Sequence, residues 1–143
     1  MNIGTLIEGR ASSDIISVEV GQTVRDAVRI LAEKRIGALP VLEQGRVAGI
    51  FSERDVIHRL AEEGQSCLDQ RVGDVMTSPA ITVERVTLID DALALMTRRR
   101  IRHLPVIESE AMCGFISIGD LVKSRFDEVH HEAEALRDYI THA

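Results

Sequence analysis

The chain has 143 residues, 45% of them apolar and 28% charged, enough for one or two small domains with a buried core. Its 17 Lys and Arg against 23 Asp and Glu leave a net charge of −6, and only 3% of residues are aromatic, with no Trp; both features argue against a protein that grips duplex or single-stranded nucleic acid. No apolar run reaches the roughly 18 residues of a membrane span, the start of the chain lacks a secretory pattern, and Cys67 and Cys113 form no CxxC pair, so a cytoplasmic, reducing location is expected.

In chain order, Ile3, Leu6 and Ile7 open with a short apolar cluster. A strand is predicted over Ile15–Val18. Val24, Ala27, Val28 and Leu31 then recur at helical spacing, with Thr23 and Asp26 placed as a capping box. A strand over Ala38–Leu42, a turn at Glu43–Arg46 favoured by Gly45, and a strand over Val47–Phe51 read as a hairpin. A second helix is predicted from about Ser52, followed by a polar linker, Glu62–Arg71, that holds Cys67 as a linker thiol. Val72, Val75 and Met76 then restate the opening cluster.

From there the chain repeats itself. Displaced by 65 residues, 16–60 falls on 81–125 without a gap, and fourteen of the 45 positions are identical, among them Pro40/Pro105, Gly49/Gly114, Ser52/Ser117 and Asp55/Asp120. The second copy predicts a strand over Ala80–Val83, a helix on Ile89, Ala92, Leu93 and Met96, a hairpin of His103–Ile107 and Met112–Ile116 with Cys113 as a small strand residue, and a helix from about Ser117. The first copy carries four extra residues, around Arg10–Ser13, ahead of its strand. The expected fold is α+β: two βαββα repeats packed face to face as one pseudo-two-fold module, because roughly 60 residues bury too little surface alone. The expected boundaries are 1–66 for the first repeat with its N-terminal segment and linker, 67–126 for the second, and 127–143 for a C-terminal amphipathic helix. Val122, Phe126, Val129, Ala133, Leu136 and Ile140 are spaced 4, 3, 4, 3, 4, an a/d seam that must be buried on the module or on a second chain.

The chemistry concentrates where each hairpin runs into its helix. Both copies read G-h-h-S-x-x-D: Gly49 to Asp55 and Gly114 to Asp120. Glycine permits close approach to the strand, serine opens a helix whose free N–H groups suit phosphate, and the aspartate one turn in can accept both hydroxyls of a ribose. The same Ser-x-x-Asp spacing also describes a plain helix cap. The doubled motif at matched offsets favours a ligand.

These motifs, with the Ala-Leu-Pro-Val and His-Leu-Pro-Val strands and Asp-Val-Met-Thr-Ser-Pro at 74–79, resemble a tandem pair of cystathionine β-synthase (CBS) domains over about residues 1–126. Phe-Ser-Glu-Arg-Asp at 51–55 is similar to small bacterial proteins that are nothing but such a pair. The resemblance implies a non-enzymatic sensor that binds AMP, or else ADP, ATP, NAD or S-adenosylmethionine, in two clefts between the copies. By position, Asp55 and Asp120 would hold ribose and Ser52 and Ser117 would lie near phosphate, beside Gly49 and Gly114. Ile16 and Ile81, with Thr77 and Pro79, would enclose the adenine. The family's phosphate-contacting bases precede the Leu-Pro strand; here Arg102 and His103 stand in copy 2 but Gly37 and Ala38 in copy 1, with Arg54 a partial substitute. The Asp120 cleft is therefore expected to bind a mononucleotide better than the Asp55 cleft.

The resemblance also implies a homodimer, with the C-terminal helix at or near the interface, and an unidentified regulated protein as the receiver of the signal. Nucleic acid is not an expected partner: the one basic run, Arg98–His103, reads as a helix end in Arg98 and Arg99 and as phosphate ligands in Arg100 and Arg102. Two rival readings are a structural dimer with empty clefts and a metal-dependent nucleotide hydrolase built on His130, His131 and Glu134; no catalytic or metal-binding residues are assigned.

Overall fold

Two hairpins of matching register carry the fold in the computed structural model, which describes residues 1–142; Ala143, the last residue of the predicted C-terminal extension, lies outside the described residues. Strand β2 (Ala38–Glu43) pairs antiparallel with β3 (Arg46–Ser52), Pro40 opposite Ile50. Strand β4 (His103–Glu108) pairs with β5 (Ala111–Ser117), Pro105 opposite Phe115. Each hairpin has its register shift at the equivalent step, Val41/Leu42 and Val106/Ile107. Both turns use two residues at positive φ, which matches the twist of the flanking strands. Gln44 and Gly45 sit at 52° and 79°, Ser109 and Glu110 at 51° and 67°, so the second turn adopts that conformation without a glycine.

The predicted first strands are shorter than expected. Strand β1 is only Val18–Glu19, parallel to β2, and in the second repeat the strand expected at Ala80–Val83 reduces to one parallel bridge, Val83 to Val106. The residues ahead of them do other work: Ile15 and Ile16 line a cavity, and Thr77 bridges to Ile50 on β3.

Helix α2 (Val24–Lys34) begins with the predicted capping box, Thr23 and Asp26, and buries Val24, Ala27 and Leu31. Its counterpart α5 (Ile89–Arg99) buries Ile89, Ala92 and Met96. Both end on an arginine in the left-handed conformation, Arg35 and Arg100 at φ 54°. Helix α3 (Glu53–Glu63) follows β3, and helix α6 (Ile118–His142) follows β5. The expected C-terminal helix is present as part of the 25 residues of α6, the second helix of repeat 2 running on. The linker is also more ordered than expected. Gly64–Asp69 winds as a 3-10 helix and Cys67 is fully buried, a core residue rather than a linker thiol.

The short helices α1 (Ile3–Leu6) and α4 (Val72–Val75) are exchanged between the repeats. Helix α1 precedes repeat 1 in sequence, yet Ile3 and Ile7 are buried in the core of repeat 2 with Val83, Ile89, Met96, Leu104, Ile116 and Leu121. Helix α4 precedes repeat 2, yet Val72 and Val75 are buried with Val18, Val24, Leu31, Leu39 and Phe51 of repeat 1. The main-chain bonds are equivalent: Ile3 N–H donates to the Thr87 carbonyl at 2.8 Å, and Val72 N–H to that of Gln22 at 2.8 Å. With each fully buried aliphatic side chain contributing about 1.5–3 kcal/mol, the crossings tie the repeats into one body, across which β3 and β5 meet. No described helix is long and apolar enough to cross a membrane.

Candidate functional site

Ser52 ends β3 and Ser117 ends β5, and each turns its chain into a helix. Both Ser–Asp pairs make the caps that their spacing allows. Ser52 N–H donates to Asp55 Oδ2 at 2.9 Å and Ser117 N–H to Asp120 Oδ2 at 2.9 Å, while Asp55 and Asp120 N–H donate back to the serine hydroxyls at 3.4 and 3.2 Å. Each carboxylate thus spends one oxygen on its own helix and keeps the other.

The second oxygens meet different partners. Asp55 Oδ1 accepts from the Thr77 hydroxyl at 3.0 Å. Thr77 is itself locked to β3, its N–H donating to the Ile50 carbonyl at 2.8 Å and its carbonyl accepting from Ile50 N–H at 2.9 Å; the Ser78 hydroxyl donates to the Ala48 carbonyl at 2.9 Å. This chain lies so close over Gly49 that a Cβ there would stand 2.6 Å from the Thr77 carbonyl and 2.7 Å from the Met76 sulfur. The close approach that Gly49 permits is made by the protein itself.

Asp120 Oδ1 faces Arg10 instead, whose Nη2 donates at a long 3.4 Å with both side chains partly exposed. Beside this pair opens a cavity of about 470 Å³, within the usual range for small-molecule sites of roughly 300–1,000 Å³. Repeat 1 lines it with Ile16, Ile36 and Ala38, and repeat 2 with His103, Gly114, Phe115, Ser117 and Asp120. A hollow of about 440 Å³ at the β2–β3 turn is lined by Glu43, Gln44, Arg46, Val47 and Ala48, all of one hairpin, and Arg46 there pairs with Glu110 on the other hairpin's turn at 2.9 Å.

His103 is the titratable group of the cavity. It is half-buried and stacks on Phe115, ring centroids 5.5 Å apart and planes 14° from parallel. Burial holds its pKa below the usual 6.5; the Asp120 charge opposes this, Arg102 adds to it and Glu53 opposes it. The ring is therefore neutral near pH 7 and can both donate and accept a hydrogen bond.

The residues singled out in the sequence fall into three places. Ile16, His103, Gly114, Ser117 and Asp120 share the cavity. Gly49, Ser52, Asp55 and Thr77 form the hydrogen-bonded cluster at the other cap. Arg54, Pro79 and Arg102 are exposed, and Ile81 packs against the core of repeat 2. The two positions expected to meet phosphate differ in charge. Gly37 O accepts from Glu53 N–H at 3.0 Å, with the Glu53 carboxylate 3.7 Å from where a side chain on Gly37 would begin; Arg102 O accepts equivalently from Ile118 N–H at 2.8 Å. Arg98 and Arg99 occupy the last turn of α5. On α6, His130 pairs with Glu134 at 3.2 Å, and no group of three His, Cys, Asp or Glu side chains suited to a metal occurs among the described residues.

Sequence reasoning missed Arg10 in the lining, and with it Asp14, Ile15, Ile36, Cys113 and Phe115. A signal for the first existed: Arg10 lies in the four residues that repeat 1 has and repeat 2 lacks, and the 3-10 turn Ser12–Asp14 that follows rests on β5.

A family model described as "CBS domain" matches residues 7–62 and 72–127. The chain is 42% identical over 123 residues to CBSX3, a mitochondrial CBS domain-containing protein of Arabidopsis thaliana; the match covers 82% of this chain and 60% of that protein's length. Among solved structures, a protein with CBS domains from Burkholderia ambifaria superposes with a TM-score of 0.79 at 37% identity, over 87% of this chain and 93% of that one. CBSX2 solved in complex with AMP superposes with a TM-score of 0.75 at 25% identity, over 88% and 96%.

Proposed function

Since this chain belongs to the CBS-domain family as a tandem pair, we propose that it is a non-catalytic sensor of an adenosyl nucleotide, with AMP the first ligand to test and ADP, ATP, NAD and S-adenosylmethionine the alternatives. The observation that carries this is Asp120: a carboxylate anchored by its own helix cap, its second oxygen turned toward a cavity with walls from both repeats. The ribose hydroxyls would replace Arg10 at Oδ1, a long and half-exposed contact that costs little to break. Ile16, Ile36 and Ala38 supply the apolar wall for a purine. Ser117 and the mouth of α6, with His103 opposite, supply donors for phosphate. The relative that holds AMP supports that choice of ligand.

The cleft at Asp55 would bind more weakly. Thr77 occupies the oxygen that ribose needs, and Glu53 puts a carboxylate beside Gly37 where phosphate would arrive.

The family match over both repeats supports the non-catalytic part of this reading. His103 and Ser117 stand opposite each other on β4 and β5, but among the described residues they share no hydrogen bond, and the Ser117 hydroxyl is engaged by the Asp120 N–H. A serine nucleophile needs its base in contact. A ligand that touches both repeats biases their packing by its differential affinity for the two arrangements, and that change would pass to a partner protein through a homodimer. The free thiols Cys67 and Cys113 suit a reducing compartment such as the cytoplasm.

Mass spectrometry of small molecules that co-purify with the folded chain, followed by thermal melts with the five ligands, tests this reading. A ligand at a hundred times its Kd adds about 2.7 kcal/mol of stability, an easily read rise in Tm. A melt unmoved by all five overturns the sensor and leaves a structural dimer with empty clefts.

A further inference from the structure

The second half of α6 has no support from its own chain. Leu121 is the one buried residue of the helix among those described, and every described residue from Val129 onward is exposed. Yet an apolar line runs along it: Val122, Phe126, Val129, Leu136 and Ile140 are 53%, 70%, 49%, 61% and 70% exposed, with Ala133 completing the 4-3 alternation. An isolated helix of this length is marginal in water, and an apolar seam at this spacing is the surface by which helices pair.

We propose that α6 pairs with α6 of a second copy of this chain as a parallel, in-register two-stranded coiled coil over Val122–Ile140, about 27 Å at 1.5 Å per residue. Charge decides both occupant and direction. With Val122, Val129 and Leu136 at d and Phe126, Ala133 and Ile140 at a, the e positions are Lys123, His130 and Arg137 and the g positions are Arg125, Glu132 and Tyr139. In a parallel pair each g residue faces the e residue five places on in the other helix. Glu132 then meets Arg137 of the second copy, twice by symmetry.

An antiparallel pair would set the e row against itself, and that row is basic or titratable at every position. Neither Glu132 nor Arg137 forms an ion pair among the described residues; within its own chain the Glu132 charge acts on Arg125 without a direct contact. The other g–e pair, Arg125 with His130, is the less favourable one. Its charges are already shared inside the chain, Arg125 with Asp90 at 3.7 Å and Glu128 at 3.2 Å, and His130 with Glu134 at 3.2 Å. Asp120 stands in the first turn of this same helix, so one helix carries both the cavity's carboxylate and the seam. The inference gives the homodimer an interface and a direction. It does not depend on nucleotide binding, so either can fail alone.

Sedimentation velocity on the full chain, and on Glu132→Lys and Arg137→Glu, tests it. Glu132 and Arg137 are exposed, so each variant keeps the parent's fold, checked by circular dichroism. The parent is a dimer, and each variant raises the dimer dissociation constant on the order of tenfold, because two attractive contacts become repulsive. An equimolar mixture of the two variants restores both contacts and dimerises as the parent does. A parent that stays monomeric at tens of micromolar, variants as dimeric as the parent, or a mixture that sediments as the sum of its parts would each overturn the pairing.

Discussion

A carboxylate that caps its own helix has one oxygen left over, and what that oxygen meets separates the two repeats. The spacing Ser-x-x-Asp allowed either a cap or a ligand site, and both caps are present. What the spacing could not carry was Thr77 on Asp55 and Arg10 on Asp120, because each partner comes from a segment whose path is set by the other repeat. His103 was legible as the residue before Leu-Pro, but its stacking on Phe115 and its depressed pKa come from burial between the repeats. Since burial lowers that pKa below the unfolded value of 6.5, the folded state binds fewer protons there than the unfolded chain. The stability this preserves is full above about pH 6.5 and is lost as pH falls toward the folded pKa. Urea melts at pH 7.5 and 5.5 should therefore show a larger loss for the parent than for His103→Gln; equal losses would mean that another group carries the pH dependence.

At the scale of elements, periodicity located the helices and hairpins, and it failed where one apolar pattern serves two ends. Ile3, Leu6 and Ile7 look like Val72, Val75 and Met76, and either set fits either core, so nothing in the pattern told which repeat each helix would join. The structure crosses them. Helix α6 could have been read as one piece: no Gly or Pro follows Gly119 to stop it. Ile7→Ala tests the crossing. Removing a buried isoleucine side chain costs roughly 2–5 kcal/mol, and hydrogen exchange should show early loss of protection around Met96, Leu104 and Ile116 of repeat 2, although Ile7 precedes repeat 1. Loss confined to Leu31, Leu39 and Phe51 would place α1 on the wrong core.

Across the whole molecule, duplication supplies two equivalent hairpin-to-helix junctions whose surroundings differ. The inequality was partly visible in Arg102 and His103 against Gly37 and Ala38. It was sharpened by features only packing reveals: the cavity opens beside Asp120, while Thr77 and Met76 lie over Gly49 at the other cap. Membership of the CBS-domain family accounts for the paired architecture, and the Asp120 carboxylate at the cavity carries the sensing proposed here. The most direct measurement is calorimetric titration of AMP into the parent, Asp120→Asn and Asp55→Asn. Asparagine can still accept the capping N–H bond, so the helix mouths persist, while a charged hydrogen-bond acceptor worth about 1.5–3 kcal/mol is lost. The expected result is a fall in affinity of roughly tenfold or more for Asp120→Asn and little change for Asp55→Asn. Unchanged binding in Asp120→Asn, or equal losses in both, would contradict it.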